Sequence, residues 1–106
     1  MALIELFRII ILMIDLKNVK PGSCMDYDRL RQELGVNIDT SLSGPRVGKW
    51  IGGRVKNKKI YLYFRVSDPP KAKEYILRLV KNYNILSEAK ICINEKRIRW
   101  KNHAFI

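Results

Sequence analysis

The chain predicts a single α+β domain: a mainly antiparallel sheet with two helices packed on one face, its elements running β-α-β-β-α-β-β. Three observations carry that prediction. Residues 47–66 alternate apolar and polar positions through two runs separated by a Lys56-Asn57-Lys58 turn, the pattern of a hairpin. Stretches with helical spacing of apolar residues flank the hairpin on both sides. A length of 106 residues with 47% hydrophobic content suits one packed core. Strands and helices in such an order favour helices gathered on one face of an antiparallel sheet.

The elements follow in turn. Residues 1–11 read as an apolar lead-in and Ile9–Leu16 as a buried strand, aliphatic on both faces. Glu5, Arg8 and Asp15 interrupt this stretch, and its uncharged runs fall short of the roughly 18 residues a membrane helix needs. It also lacks the basic start and small-residue cleavage site of a signal peptide. No membrane is expected among its partners. Lys20-Pro21-Gly22-Ser23 marks a turn. Asp26–Leu34 reads as a short helix, with Tyr27, Leu30 and Leu34 on one stripe and Gly35 placed to end it. Asn37–Gly44 reads as a polar loop.

In the first hairpin strand Val47, Lys49, Ile51, Gly53 and Val55 fall on one side, and Trp50, Arg54 and Lys56 on the other. The pair Gly52-Gly53 inside that pattern points to a bulge or a close approach. In the second strand, Lys59–Val66, Ile60, Leu62, Phe64 and Val66 share one face, with Tyr61, Tyr63 and Arg65 opposite. Ser67-Asp68-Pro69 opens the second helix, Asp68 as N-cap and proline in the first turn. The helix is expected to run to about Tyr83, with Ala72, Tyr75, Ile76, Leu79 and Tyr83 inward and Lys71, Glu74, Arg78 and Lys81 outward. Lys90–Ile93 and Arg97–Trp100 read as two closing strands joined by an Asn94-Glu95-Lys96 turn.

Charge is divided unevenly along the chain. Residues 1–45 hold five Lys/Arg against six Asp/Glu, a net of −1, and residues 46–106 hold sixteen against four, a net of +12. A neutral first half and a strongly basic second half suit a domain that folds and then grips a polyanion, because neutralising phosphates releases condensed counterions. The candidate RNA-binding residues are spread over every element of that half. They are Arg46 and Lys49 at a loop–strand junction, and Arg54, Lys56, Lys58 and Lys59 around the hairpin turn. Lys71, Lys73, Arg78 and Lys81 follow on the second helix, then Arg97, Arg99 and Lys101 on the last strand. Cations held on a folded scaffold suit structured RNA, read through its phosphates, 2′-hydroxyls and shape.

Catalytic signals are missing by the same reading. The sole histidine, His103, lies beyond the last predicted strand, and Asp26 and Asp28 are spaced so that they do not face each other. Gly44-Pro45-Arg46-Val47-Gly48-Lys49 lacks the spacing and the Ser/Thr of a phosphate loop. Cys24 and Cys92 match no metal spacing and read as thiols of a reducing compartment. The expectation is a protein with no enzymatic activity, cofactor, metal or small-molecule substrate. Tyr61 and Tyr63 occupy one strand face, where RNA-recognition sheets put stacking aromatics, but the glycines and first-strand aromatic of that signature are missing. A tyrosine pair on a strand is more often packing.

From Gly48-Lys49-Trp50-Ile51-Gly52-Gly53 through Lys56-Asn57-Lys58-Lys59-Ile60, the helix Lys73–Tyr83, the Asn94 turn and Arg97-Ile98-Arg99-Trp100, the chain resembles the eukaryotic-type large-subunit ribosomal protein L-twenty-two family (not the bacterial protein of the same number). Ile14-Asp15 and Met25-Asp26 match in order and spacing, so the resemblance extends over roughly residues 12–106. It implies a structural constituent of the large ribosomal subunit in the cytoplasm, with ribosomal RNA and neighbouring ribosomal proteins as partners. It also implies RNA contact through the second helix, at Lys73, Lys81 and Arg78. The apolar Met1–Leu12 departs from the basic start often found in that family, and the chain lacks an acidic tail. The rival readings are an extra-ribosomal nucleic-acid-binding regulatory module and a nuclease accessory or small enzyme. The first lacks a clear recognition helix, and the second is short of acidic residues in the basic half.

Overall fold

A computed structural model of the chain describes residues 5–17, 26–83 and 89–100. Within them the order is β1 (Glu5–Asp15), α1 (Tyr27–Ser43), β2 (Gly48–Lys56), β3 (Lys59–Val66), α2 (Pro69–Lys81) and β4 (Lys90–Trp100). All four strands pair antiparallel in one open sheet of order β2-β3-β1-β4. The hairpin partner β3 is thus inserted between β1 and β2, a split β-α-β arrangement of the ferredoxin-like kind. Both helices cover one face: α1 lies on β2 and β3, α2 on β1, and the helices touch each other. The α+β class with an antiparallel sheet and two helices on one face is therefore what the chain forms.

The core follows from strand alternation. Ile10, Leu12 and Ile14 of β1 and Ile60, Leu62 and Phe64 of β3 are fully buried beneath Leu34, Ile38 and Leu42 of α1 and Ala72, Ile76 and Val80 of α2. Truncating one such side chain to alanine costs about 2–5 kcal/mol, a large part of a small domain's stability. The helix starts are capped as their sequences dictate. The Asp26 carboxylate accepts from the Arg29 N–H at 3.0 Å and that of Asp68 from the Lys71 N–H at 3.2 Å.

Four expectations need correction. Strand β1 begins at Glu5 rather than Ile9, so part of the apolar lead-in belongs to the sheet. Helix α1 does not stop at Gly35 but runs to Ser43, so Asn37–Ser43 is helix rather than loop. The stripe Leu30, Leu34, Ile38, Leu42 continues at four-residue spacing through the polar stretch, and burial of that stripe outweighs the weak helix propensity of its glycine and β-branched residues. Helix α2 ends at Lys81, two residues short of Tyr83.

The closing hairpin is the fourth. Lys90–Trp100 is one strand, and the residues read as a turn pair directly with β1: Asn94 with Ile11, Glu95 with Ile10 and Lys96 with Ile9. An eleven-residue β1 offers a continuous ladder, and Glu95, which falls on the helix side, meets the Lys73 ammonium at 3.5 Å. A turn there would forfeit ladder hydrogen bonds along the middle of β1. The observed order is accordingly β-α-β-β-α-β. The predicted turn at Lys20–Ser23 lies outside the described residues.

Gly35 survives inside a helix because Trp50 occupies the space a side chain would need. A Cβ on Gly35 would lie 2.4 Å from Trp50 Cε2. The same tryptophan is held at two further points: its backbone N–H donates to Asp39 Oδ1 at 2.8 Å and its indole Nε1–H to the Gly52 carbonyl at 2.8 Å. Gly35→Ala is expected to lower stability despite alanine's better helix propensity, because overpacking costs typically about 1–3 kcal/mol against a propensity gain of about 1. Thermal unfolding followed by circular dichroism should show a Tm lower by roughly 5–10 °C. A raised Tm would mean that the indole moves aside freely.

Candidate nucleic-acid interface

The sheet face away from the helices can be read off its register. Across β2, β3, β1 and β4, one row holds Lys56, Lys59, Asp15 and Lys90; the next holds Arg54, Tyr61, Met13 and Cys92. Then come Gly52, Tyr63, Ile11 and Asn94, and finally Lys49, Arg65, Ile9 and Lys96. The face has an aromatic and aliphatic middle with cationic rows at both ends. From Lys59 to Arg65 along β3 those rows stand ~20 Å apart. Seven of these side chains are basic, and all but the half-buried Lys59 are exposed. Asp15 is the only carboxylate among them.

The bulge in β2 produces this division. The pairing register slips between Trp50 and Gly52, leaving Ile51 as the extra residue, 45% exposed. Before the slip Trp50 faces the helices opposite Phe64; after it Gly53 and Val55 do, opposite Leu62 and Ile60. Plain alternation put Lys49, Ile51, Gly53 and Val55 together and Trp50 with Arg54 and Lys56; that assignment is overturned. With the bulge, Lys49, Arg54 and Lys56 all point to the open face.

Carboxylates gather on the other side of the sheet. Asp26, Asp28, Glu33 and Asp39 belong to α1 and its cap, Asp68 and Glu74 to α2 and its cap, and Glu95 faces α2. The ion pairs among the described residues lie there as well: Arg31–Asp28 at 3.0 Å, Arg78–Glu74 at 2.9 Å and Lys73–Glu95 at 3.5 Å. None engages Lys49, Arg54, Lys56, Lys59, Lys90 or Lys96. The helix layer is close to neutral and the open face strongly positive.

The sequence-predicted residues therefore separate. Lys49, Arg54, Lys56 and Lys59 converge on the open face, and Arg54 Cζ lies 5.1 Å from the centroid of the Tyr61 ring. Lys71, Lys73, Arg78 and Lys81 lie on α2 in the opposite layer, where Lys73 and Arg78 are engaged by glutamates and Lys71 and Lys81 are exposed. Arg97 and Arg99 have their backbones in β4 opposite Arg8 and Leu6. Lys101 and His103, like Cys24, lie outside the described residues. Arg65, Lys90 and Lys96 were not among the predicted site residues. Period-two spacing of Lys90, Cys92, Asn94 and Lys96 was the signal that could have found the last two, once 90–100 is read as one strand.

Two more predicted cations hold unusual backbone conformations. Arg46, between α1 and β2, has φ 59°, and Asn57 and Lys58 of the β2–β3 turn have φ 52° and 59°. A two-residue hairpin turn with both central residues at positive φ is of the I′ kind, for which asparagine then glycine is the favoured pair. Lysine in the glycine position costs about 1–2 kcal/mol. The Gly44–Lys49 segment connects a helix end to a strand start, the reverse of a phosphate loop, with Gly44 capping α1.

Among the described residues no group of three or more His, Cys, Asp or Glu side chains could hold a metal ion, and no helix is long and apolar enough to cross a membrane. No family model, curated protein or solved structure matches the chain. Lys58→Gly is expected to raise stability by about 1 kcal/mol by relieving the positive-φ strain, read as a Tm several degrees higher in thermal unfolding. An unchanged Tm would mean that the turn holds Lys58 without strain.

Proposed function

We propose that this chain is an RNA-binding constituent of the large ribosomal subunit, of the kind its resemblance to the L-twenty-two family implies. The observation that carries RNA binding is the one-sided charge: seven basic residues against Asp15 in the four rows of the open sheet face, with the carboxylates of α1, α2 and their caps behind the sheet. A flat field of fixed cations gains counterion-release free energy at each phosphate it meets. Holding the side chains on strands rather than on a flexible tail lowers the ordering cost of binding. The ribosomal assignment rests on the residue correspondences from Ile14 to Trp100. Ribosomal RNA and neighbouring ribosomal proteins are then its partners, and the cytoplasmic ribosome its location.

The footprint of this reading differs from the one the family resemblance implies. The open face and the β2–β3 turn are its main contact, and α2 adds Lys71 and Lys81 at its two ends. Lys73 and Arg78 contribute less, because binding phosphate would require each to leave a glutamate.

Two substitutions of equal charge separate these surfaces. Asp15→Asn removes the carboxylate of the open face, and Glu95→Gln frees Lys73 on the helix side. Asp15→Asn is expected to tighten binding to large-subunit ribosomal RNA at low salt several-fold, and Glu95→Gln to leave it nearly unchanged. The reverse ranking would move the footprint to α2. The ribosomal assignment is tested by locating the protein in a sucrose gradient of native lysate. Co-migration with the large subunit through a moderate salt wash is expected, and absence from ribosomal fractions would leave an extra-ribosomal nucleic-acid-binding module.

A further inference from the structure

The middle of the open face contains a gap. On β2 the residue beside Tyr63 is Gly52, and a Cβ built on it meets no atom within 4 Å beyond its chain neighbours Ile51 and Gly53. Its φ of 156° is one that side-chain-bearing residues rarely adopt, so the bulge keeps the position vacant. Tyr63 is half-buried and has no hydrogen bond or ring contact among the described residues. Tyr61, two residues earlier, differs: Arg54 occupies the corresponding place and lies over its ring. The same face thus offers one tyrosine covered by a guanidinium and one with open space alongside.

We propose that the space over Gly52 beside Tyr63 is a stacking slot for an unpaired base of the bound RNA. This deepens the RNA-binding reading above and rests on it. A base is a flat apolar plate on a charged backbone, and the surroundings match both parts. Tyr63 and Ile11 supply an apolar floor, and Lys49 and Arg54, which flank Gly52 on β2, bracket the slot with positive charge for the adjoining phosphates. A paired base in a helix keeps its faces stacked within the duplex and cannot enter. The ligand class is therefore RNA with at least one unstacked nucleotide, such as a loop, bulge or single-stranded junction. Tyr63 acts by its ring and Gly52 by lacking a side chain.

The test uses the full chain, an oligouridylate ten-mer carrying one central 2-aminopurine, and a blunt RNA duplex of the same length. Binding of wild type is expected to quench the 2-aminopurine, the signature of a base stacked on a ring. Tyr63→Ile, which keeps a good strand former, should relieve the quenching and weaken single-strand affinity about tenfold. Tyr63→Phe should retain both, duplex affinity should be equal in all three proteins, and the slope of affinity against salt should not change. Absence of quenching with wild type overturns the slot without recourse to any variant. So does a Tyr63→Ile loss that is nil, or that is equal for strand and duplex; in those cases RNA binding itself stands. If neither RNA binds wild type, the RNA-binding reading falls and the slot with it.

Discussion

The indole of Trp50 seated against Gly35 is the contact on which the rest of the molecule depends. It fixes how close α1 lies to the sheet, and its backbone N–H is claimed by Asp39 from that same helix. Its indole N–H is tied to the Gly52 carbonyl beyond the bulge. The side chain therefore holds the helix layer and the register slip of β2 at once. Without the slip, Arg54 and Lys56 would turn toward the core side, where charge has no water and no partner. A packing contact on one face of the sheet decides which charges appear on the other.

The sheet then acts as an electrostatic partition. Its helix side balances acids and bases close to one another, and such exposed pairs contribute little stability each. Its open side keeps like charges apart on neighbouring strands, with Asp15 the one carboxylate within the four rows that hold them. Mutual repulsion among these cations opposes folding modestly, as does the positive φ of Arg46 and Lys58. Strain retained at cationic positions where glycine would be easier is the pattern expected when a surface is shaped for a ligand rather than for stability.

Much of the fold was legible in the residues, for stated reasons. The β2–β3 hairpin, the Asp68-capped second helix and the buried first strand follow from local period and capping, which act over a few residues. The misreadings came where a distant partner overrides local chemistry. Gly35 looks like a helix end until Trp50, fifteen residues on, is known to fill its place. Asn94-Glu95-Lys96 looks like a turn until β1 offers a ladder and Lys73 meets Glu95. The basic half was evident, but the gathering of seven of its cations on one sheet face was not, because a single bulged residue, Ile51, reverses the sides of the β2 residues after it. The Gly52-Gly53 pair announced the bulge without giving its register.

The most direct measurement is an NMR titration of isotope-labelled protein with a large-subunit ribosomal RNA fragment. Shift changes concentrated on Lys49, Arg54, Tyr61, Tyr63, Arg65 and Lys96, with α1 and the middle of α2 undisturbed, are the predicted result. Changes confined to the helix layer, with the open face silent, would contradict the account.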